Sequence, residues 1–135
     1  MTTTALILGA LLLLPSPSNL RAAAHVPWVV DAAVVHHVDP VLLLSVPAGE
    51  RSRWMPATSP GGRYCGAWQT GHLDSGFTCQ ELQGQPGVMR AARVLKAFHG
   101  NLSRYAGCNK KPCPSYITRV HALERRLNDH VHHPL

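Results

Sequence analysis

A long irregular stretch in the middle of the chain limits the folds that it can adopt. Residues 51–86 are rich in Gly, Pro, Ser and Thr and show little periodicity, which is typical of loops and short turns. Apolar residues recur at helical spacing on both sides of this stretch. The sequence therefore predicts a mainly α-helical domain, with about four helices around one core and a long irregular loop region that holds at most a minor hairpin.

The helical segments have recognisable boundaries. Helical spacing begins near Trp28. The pair Asp39 and Pro40 predicts a helix start, because Asp is a favoured N-cap and Pro is favoured at the first helical position. Pro47 then ends or kinks that helix, since it removes a backbone hydrogen bond and clashes with the preceding turn. The core-facing positions expected on the later helices are Val88, Ala91, Ala92, Leu95, Phe98, Leu102 and Tyr105, followed by Tyr116, Ile117, Val120, Leu123 and Leu127.

Glu50 follows the apolar helix that starts at Pro40. A carboxylate at the end of a hydrophobic helix is partly desolvated, which raises its pKa. A carboxyl group that stays protonated near neutral pH can serve as a general acid. The alternative is an ordinary solvated carboxylate at a helix end.

Residues 1–24 have the layout of a secretory signal peptide. Residues 5–14 are apolar apart from one Gly, residues 15–18 break the run with Pro and Ser, and residues 22–24 supply small side chains for cleavage. The run is too short for a permanent bilayer span, so no membrane span is expected after processing. An uncleaved anchor and an ordinary apolar leader stay open as alternatives, because residues 2–4 carry no Lys or Arg.

The predicted mature protein is a secreted or periplasmic monomer with one domain at residues 25–128. Residues 129–135 are expected to form a disordered tail. A domain of this length can bury a core large enough to fold alone.

All four cysteines, Cys65, Cys79, Cys108 and Cys113, follow the predicted cleavage site. An even number of cysteines in a small exported domain predicts two disulfides, for which three pairings are possible. A bridge from Cys108 to Cys113 closes a tight loop and leaves Cys65 for Cys79. The alternative of a zinc site lacks the short C-x2-C pairs, and the nine histidines include no His-Glu-x-x-His motif. No metal and no cofactor are expected.

The formal net charge of +6 lies almost wholly after residue 20. A basic surface favours an anionic partner, such as nucleic acid, an anionic membrane or an anionic polysaccharide. Predicted export favours a cell-wall polymer. The sequence contains no helix-turn-helix, zinc-finger or aromatic stacking motif, so nucleic acid is not an expected partner.

Four segments, taken in order, resemble motifs of the lysozyme-like domain of lytic transglycosylases and goose-type lysozymes. Residues 39–46 are similar to the helix that leads into the family's catalytic Glu, here Glu50. Residues 59–62 resemble its Ser-Pro-x-Gly turn, and residues 66–69 resemble its Gly-Leu-Met-Gln stretch. Residues 102–107 resemble its Ala-Ala-Tyr-Asn-Ala-Gly segment. The resemblance spans about residues 29–127, nearly the whole predicted mature chain.

The resemblance implies an enzyme that breaks the β-1,4 bond between N-acetylmuramic acid and N-acetylglucosamine in the glycan strands of peptidoglycan. It implies Glu50 as the single catalytic residue, acting with the substrate's own 2-acetamido group. A lytic transglycosylase would leave a 1,6-anhydro end, whereas attack by water would be lysozyme hydrolysis.

The family motifs also imply the residues that would bind the sugar. They are Ser59, Trp68, Gln69 and Tyr105, and for Tyr105 the expectation is a hydroxyl that points at Glu50 or at the substrate. Each has a structural alternative: a turn cap for Ser59, a loop surface for Gln69 and the core for the two aromatic residues.

The sequence also departs from the family pattern. Arg51 stands where the family has Ser, and Pro47 replaces the hydrophobic residue before the acid. The family's Asn after its Tyr is either replaced by Ala106 or dropped. These changes favour an alternative function, a catalytically weakened, basic peptidoglycan-binding module of the same fold. If Glu50 is not the acid, Asp74 and Glu81 in the irregular stretch are the other candidates.

Overall fold

The computed structural model describes residues 2–13, 18–50, 53–59, 61–71, 75–106 and 113–132. Within these residues the chain forms seven α-helices, one 3-10 helix and one antiparallel pair of short strands, which confirms the predicted mainly helical class. The helices are α1 (Thr3–Leu12), α2 (Ser18–His36), α3 (Pro40–Ser45), α4 (Cys79–Leu82), α5 (Gln85–Ala97), α6 (Leu102–Tyr105) and α7 (Pro114–His132). The 3-10 helix is Val46–Ala48, and the strands are β1 (Tyr64–Cys65) and β2 (Thr70–Gly71).

The core lies between the longer helices. Helix α2 packs against α1, α3 and α5, while α7 packs against α1, α3 and the 3-10 helix. Fully buried side chains come from every one of these helices, among them Ile7, Leu11, Val26, Val29, Leu43, Leu44, Val46, Val88, Leu95, Val120 and Leu127. The short α3 is therefore enclosed by longer helices, and the chain that leaves it toward Glu50 starts from a fixed position.

Helix α3 begins and ends as its sequence predicts. The Asp39 side chain accepts a hydrogen bond of 2.9 Å from the Val41 N–H, and Pro40 occupies the first helical position. Pro47 has no N–H to continue the α-helical pattern, and the chain tightens there into the 3-10 helix. Glu50 follows two residues after this turn.

The N-terminal region is helical on both sides of the predicted boundary at residue 24. Helix α2 runs without interruption across position 24, and α1 packs against both α2 and α7, with Ile7 and Leu11 buried. The small residues that suggest a cleavage site are also good helix formers, and Ala22 lies fully buried in the core. Cleavage near Ala24 stays a prediction. None of the described helices has both the length and the apolar character that crossing a bilayer requires.

The C-terminal segment also differs from its prediction. Helix α7 continues to His132, so residues 129–132 are helical where a disordered tail is expected, and residues 133–135 lie outside the described part of the chain. Val131 is partly buried and packs against the core, which supports the last turn of the helix.

The irregular region contains a minor hairpin and a disulfide. Strands β1 and β2 pair Tyr64 with Gly71 and Cys65 with Thr70. A disulfide joins Cys65 to Cys79 at the start of α4 and ties the hairpin to that helix. Cys113 is also disulfide-bonded, while its predicted partner Cys108 lies outside the described residues.

Candidate functional site

Glu50 is partly buried beside α7. The Tyr116 hydroxyl, on the first turns of that helix, donates a hydrogen bond of 2.9 Å to Glu50 Oε1. The backbone before Glu50 lies unusually close to α7, because a Cβ added to Gly49 would sit 2.8 Å from Val120 Cγ2 and 2.9 Å from the Tyr116 ring. Glycine at position 49 therefore allows the carboxylate to reach the tyrosine.

The pKa of Glu50 is raised to about 7. Burial is the largest cause, since it penalises the charged carboxylate. The Tyr116 hydrogen bond and the positive charge of Arg119 both favour the carboxylate and lower the pKa, so they partly offset burial. As a result, protonated and ionised Glu50 are both well populated near neutral pH.

Arg119 fixes the end of the 3-10 helix. Its guanidinium donates to the Gly49 carbonyl at 2.8 Å and to the Ala48 carbonyl at 3.3 Å. Carbonyl groups at a helix end lack partners within the helix, and a cationic side chain satisfies them well. Arg119 therefore holds the backbone before Glu50 and also places a cation near the carboxylate.

Tyr105 does not bond to Glu50, which is one of the two contacts predicted for its hydroxyl. Its hydroxyl donates 2.9 Å to the Trp68 carbonyl, and Tyr116 occupies the hydrogen-bonding position on Glu50 instead. The pKa of Tyr105 is still raised, first by burial and then by the negative charge of Glu50. Tyr105 therefore lies within electrostatic reach of Glu50 without bonding to it.

Trp68 belongs to the core rather than to a sugar-binding surface. Its side chain is only 2% exposed, so neither ring face is open to a ligand. Its indole N–H donates 2.7 Å to the Leu43 carbonyl, the group that Pro47 cannot bond to because it has no N–H. The same carbonyl accepts from the Val46 N–H, so Trp68 adds a second donor at the end of the helix that positions Glu50.

Gln69 and Ser59 both order loops. The Gln69 amide donates to the Ala57 carbonyl at 3.1 Å and to the Gly66 carbonyl at 2.9 Å. Ser59 Oγ accepts from the Tyr64 N–H at 3.1 Å, which is the turn-capping alternative for this residue. Among the described residues neither side chain bonds to Glu50.

A cleft of about 400 Å³ lies beside Gln69 and Tyr105. Gln69 and Tyr105 from the predicted set line it, whereas its described lining does not include Glu50, Ser59 or Trp68. The other lining residues are Tyr64, Thr70, Gly71, Arg90, Val94, Phe98 and Arg104. Tyr105 lines this cleft, and the negative charge of Glu50 contributes to its raised pKa. Tyr105 therefore lies between the cleft and the surroundings of Glu50.

Glu81, one of the two alternative acids, has a structural role at a helix start. Glu81 forms a capping box with Thr78 at the start of α4, where its carboxylate accepts from the Thr78 N–H at 3.0 Å. This helix cap occupies Glu81. Asp74 lies outside the described residues. Within the part of the chain that the structure describes, no three His, Cys, Asp or Glu side chains gather as metal ligands would.

No family model, curated protein or solved structure matches this chain. The lysozyme-like identity therefore stays a prediction from the four motifs.

The sequence alone does not identify two residues of the site, Tyr116 and Arg119. Tyr116 is predicted only as a core position of the last helix, and Arg119 is not singled out. The signal that could have found them is their spacing of three residues, which places both on one face of α7. Nothing local indicates that this face meets Glu50, because Tyr116 and Glu50 are 66 positions apart.

Proposed function

We propose that this protein cleaves the β-1,4 glycosidic bonds of peptidoglycan as a lytic transglycosylase of the lysozyme-like fold, with Glu50 as its single acid and base. One observation carries the proposal. Glu50 lies just after α3 and the 3-10 helix, accepts a hydrogen bond of 2.9 Å from Tyr116, and has a pKa raised to about 7. A catalytic acid that must also act as a base works best when its pKa is near the working pH.

In the proposed reaction, protonated Glu50 gives its proton to the glycosidic oxygen while the bond from that oxygen to C1 breaks. The substrate's 2-acetamido group stabilises the positive charge that develops at C1. The ionised Glu50 then takes a proton from the C6 hydroxyl of the same sugar, and O6 bonds to C1 to give the 1,6-anhydro end. If water attacks C1 instead, Glu50 takes the proton of water and the product is a reducing end.

Tyr116 and Arg119 balance the two states of Glu50 in this cycle. Both favour the carboxylate, which must exist after the proton has been donated. Burial favours the acid, which must exist before. The opposing effects leave a group that can donate a proton and recover it within the same pH range.

The cleft supplies groups suited to a sugar. Tyr64 is 47% exposed and offers an aromatic ring, the role expected of Trp68. The Gln69 amide nitrogen donates to the carbonyls of Ala57 and Gly66. Its side-chain oxygen has no partner among the described residues, so it can accept a hydrogen bond from an N-acetyl N–H. Arg104 on α6, whose guanidinium lies 4.8 Å from the centre of the Phe98 ring, adds a hydrogen-bond donor to the lining of the cleft.

The test is mass spectrometry of fragments released from purified peptidoglycan. The proposal expects disaccharide-containing fragments that end in a 1,6-anhydro sugar, which are lighter by one water molecule than the hydrolytic products. Release of reducing-end fragments would keep Glu50 as the acid but make the enzyme a lysozyme. No release of glycan fragments would contradict the proposal.

A non-catalytic module that binds peptidoglycan is the second candidate function. One observation favours it: among the described residues that line the cleft there are two arginines and no carboxylate. The same experiment separates the two functions. A binding module sediments with the insoluble wall and releases nothing from it.

A further inference from the structure

His25 on α2 contacts the turn that follows Glu50 in the chain. Its Nε2 lies 3.3 Å from the Trp54 carbonyl oxygen. Arg21, one turn earlier on α2, donates from Nε to the Arg53 carbonyl at 3.1 Å. Since Trp54 is only four positions after Glu50, two side chains of α2 hold the backbone on the C-terminal side of the carboxylate.

The Arg53–Trp54 turn has a backbone that requires such support. Both residues have positive φ, 44° at Arg53 and 66° at Trp54. Residues with a side chain adopt this left-handed conformation at a cost in energy, and they keep it only where the surrounding structure holds them. The contacts from α2 supply part of that support.

The same turn supports the end of α3. The Trp54 indole N–H donates to the Leu44 carbonyl at 3.1 Å. Trp68, whose ring centroid lies 5.2 Å from that of His25, donates to the neighbouring Leu43 carbonyl. His25 therefore contacts both tryptophans whose indoles bond to the end of α3.

The contact with Trp54 requires neutral His25 in one tautomer. A carbonyl only accepts, so Nε2 carries the proton and Nδ1 is the bare nitrogen. Nδ1 is buried and has no hydrogen-bond partner among the described residues, and the ring lies edge-on to Trp28 and Trp68. A second proton has to go to Nδ1, where no described group accepts a hydrogen bond from it. Protonation therefore favours a ring that turns out to water and leaves the Trp54 carbonyl.

Burial rather than a neighbouring charge sets the protonation of His25. It lowers the pKa of His25 below the usual 6.5, while the Trp54 carbonyl opposes this effect. Helices α1 and α3 carry no charged side chain. The other charged and titratable groups of α2, the Arg53–Trp54 turn and α5 are Arg21, Asp31, His36, Arg53, Arg90, Arg93 and Lys96.

We propose that neutral His25 positions Glu50 by holding the Arg53–Trp54 turn, and that protonation of His25 releases the turn and lowers activity. The part that concerns activity rests on the proposed function, since it adds a pH-dependent control of the same site. His25 itself is a positioning residue, because it acts through the turn and the end of α3.

The first measurement is an NMR titration of the full chain, in which α2 is continuous, from pH 7.5 to 4.5. It follows the His25 ring and the indole N–H signals of the three tryptophans. His25→Gln keeps an N–H donor but cannot be protonated, whereas His25→Phe keeps a ring without a donor. His36→Gln is the matched control, because it changes a histidine of the same helix about 16 Å further along the axis.

We expect the Trp54 and Trp68 signals of the parent to change together with the His25 ring as pH falls below 6.5. They should stay constant in His25→Gln and should titrate as in the parent in His36→Gln. His25→Phe at pH 7.5 should show the signals that the parent shows at acidic pH.

The second measurement is cleavage of soluble peptidoglycan fragments over the same pH range. A general acid with a pKa of about 7 stays protonated at lower pH, so Glu50 itself causes no acid decline. The parent should nevertheless lose kcat below pH 6.5 without a change in KM, because a displaced acid is felt in the transition state. In His25→Gln kcat should stay level within about twofold, and in His25→Phe it should fall about two- to tenfold at pH 7.5, as expected for one lost hydrogen bond.

Two results would overturn the inference and leave the proposed function in place. One is a Trp54 signal that does not change in the parent, or changes equally in His25→Gln. The other is an acid decline of kcat that is the same in the parent and in His25→Gln. If the parent cleaves no glycan at any pH, the proposed function fails, and the NMR titration still decides whether His25 holds the turn.

Discussion

The Tyr116 hydroxyl donates a 2.9 Å hydrogen bond to the Glu50 carboxylate, across 66 positions of sequence. This bond joins the end of the 3-10 helix to the first turns of α7. Arg119, one turn further along α7, binds the carbonyls of Ala48 and Gly49 and strengthens the same junction. The position and the pKa of Glu50 therefore depend on how α7 packs.

Tyr116→Phe should shift the pH dependence of glycan cleavage. The Tyr116 hydrogen bond lowers the pKa of Glu50, so its loss raises that pKa above about 7. Glu50 then stays protonated to a higher pH, and the alkaline decline of kcat/KM should move upward by up to about one pH unit. Tyr105→Phe is the matched control, because its hydroxyl bonds to the Trp68 carbonyl instead. Identical pH profiles for parent and Tyr116→Phe would contradict this.

The raised pKa of Glu50 also predicts how stability depends on pH. The native state binds the proton more tightly than the unfolded state, so the stabilisation from Glu50 is complete below pH 4.5 and is lost as pH rises through about 7. The loss amounts to up to about 3 kcal/mol. Glu50→Gln has no such proton, so its free energy of unfolding should rise relative to that of the parent as pH rises from 4.5 to 7.5.

Urea unfolding of both proteins at these two pH values measures this difference. Comparing the two proteins removes the contribution of His25, whose pKa burial lowers. A difference in unfolding free energy that is the same at both pH values would show that Glu50 is not buried as the structure places it.

Gly49→Ala should destabilise the protein and disturb the site. The added Cβ would lie 2.8 Å from Val120 Cγ2 and 2.9 Å from the Tyr116 ring, which forces α7 outward. Overpacking of this kind costs about 1–3 kcal/mol. Gly61→Ala is the control, because nothing lies within 4 Å of a Cβ at that position. Thermal unfolding of the two variants gives the result, and equal midpoints would mean that the close approach of Gly49 to α7 is absent.

Removal of residues 1–24 tests the N-terminal region. The structure buries Ile7, Leu11 and Ala22 in the core, and their loss should lower the free energy of unfolding by at least about 3 kcal/mol. Thermal unfolding of residues 25–135 beside the full chain measures this effect. Unfolding midpoints that agree within a degree would favour the signal-peptide prediction instead, and N-terminal sequencing of the exported protein then locates the cut.

Helix caps, prolines and apolar spacing in the sequence correctly predicted helix starts, helix ends and buried faces. Asp39 and Pro40 start α3, Pro47 ends it, and the apolar spacing after Val88 predicts the buried face of α5. Each of these features depends on residues within one or two turns of one another. They were sufficient to place Glu50 just after an apolar helix, which is where the structure has it.

The contacts between distant segments could not be predicted in the same way. The choice of Tyr116 over Tyr105 as the partner of Glu50 depends on how α7 and α6 pack, and no periodicity in the sequence specifies this. Trp68 has the aromatic ring that a sugar platform needs, but the ring is buried. Its indole N–H donates to the Leu43 carbonyl, to which Pro47 has no N–H to donate. Long-range packing decided both outcomes.

The most direct test of the catalytic role of Glu50 is the rate at which Glu50→Gln releases soluble fragments from purified peptidoglycan. Gln keeps the shape of Glu but has no proton to give at a useful pKa, so the rate should fall by at least about 10²-fold, with the circular dichroism spectrum unchanged. Tyr105→Phe should lose less, because it removes no proton-transfer group. If Glu50→Gln clears the wall as fast as the parent, Glu50 is not the catalytic acid and this account of the site is wrong.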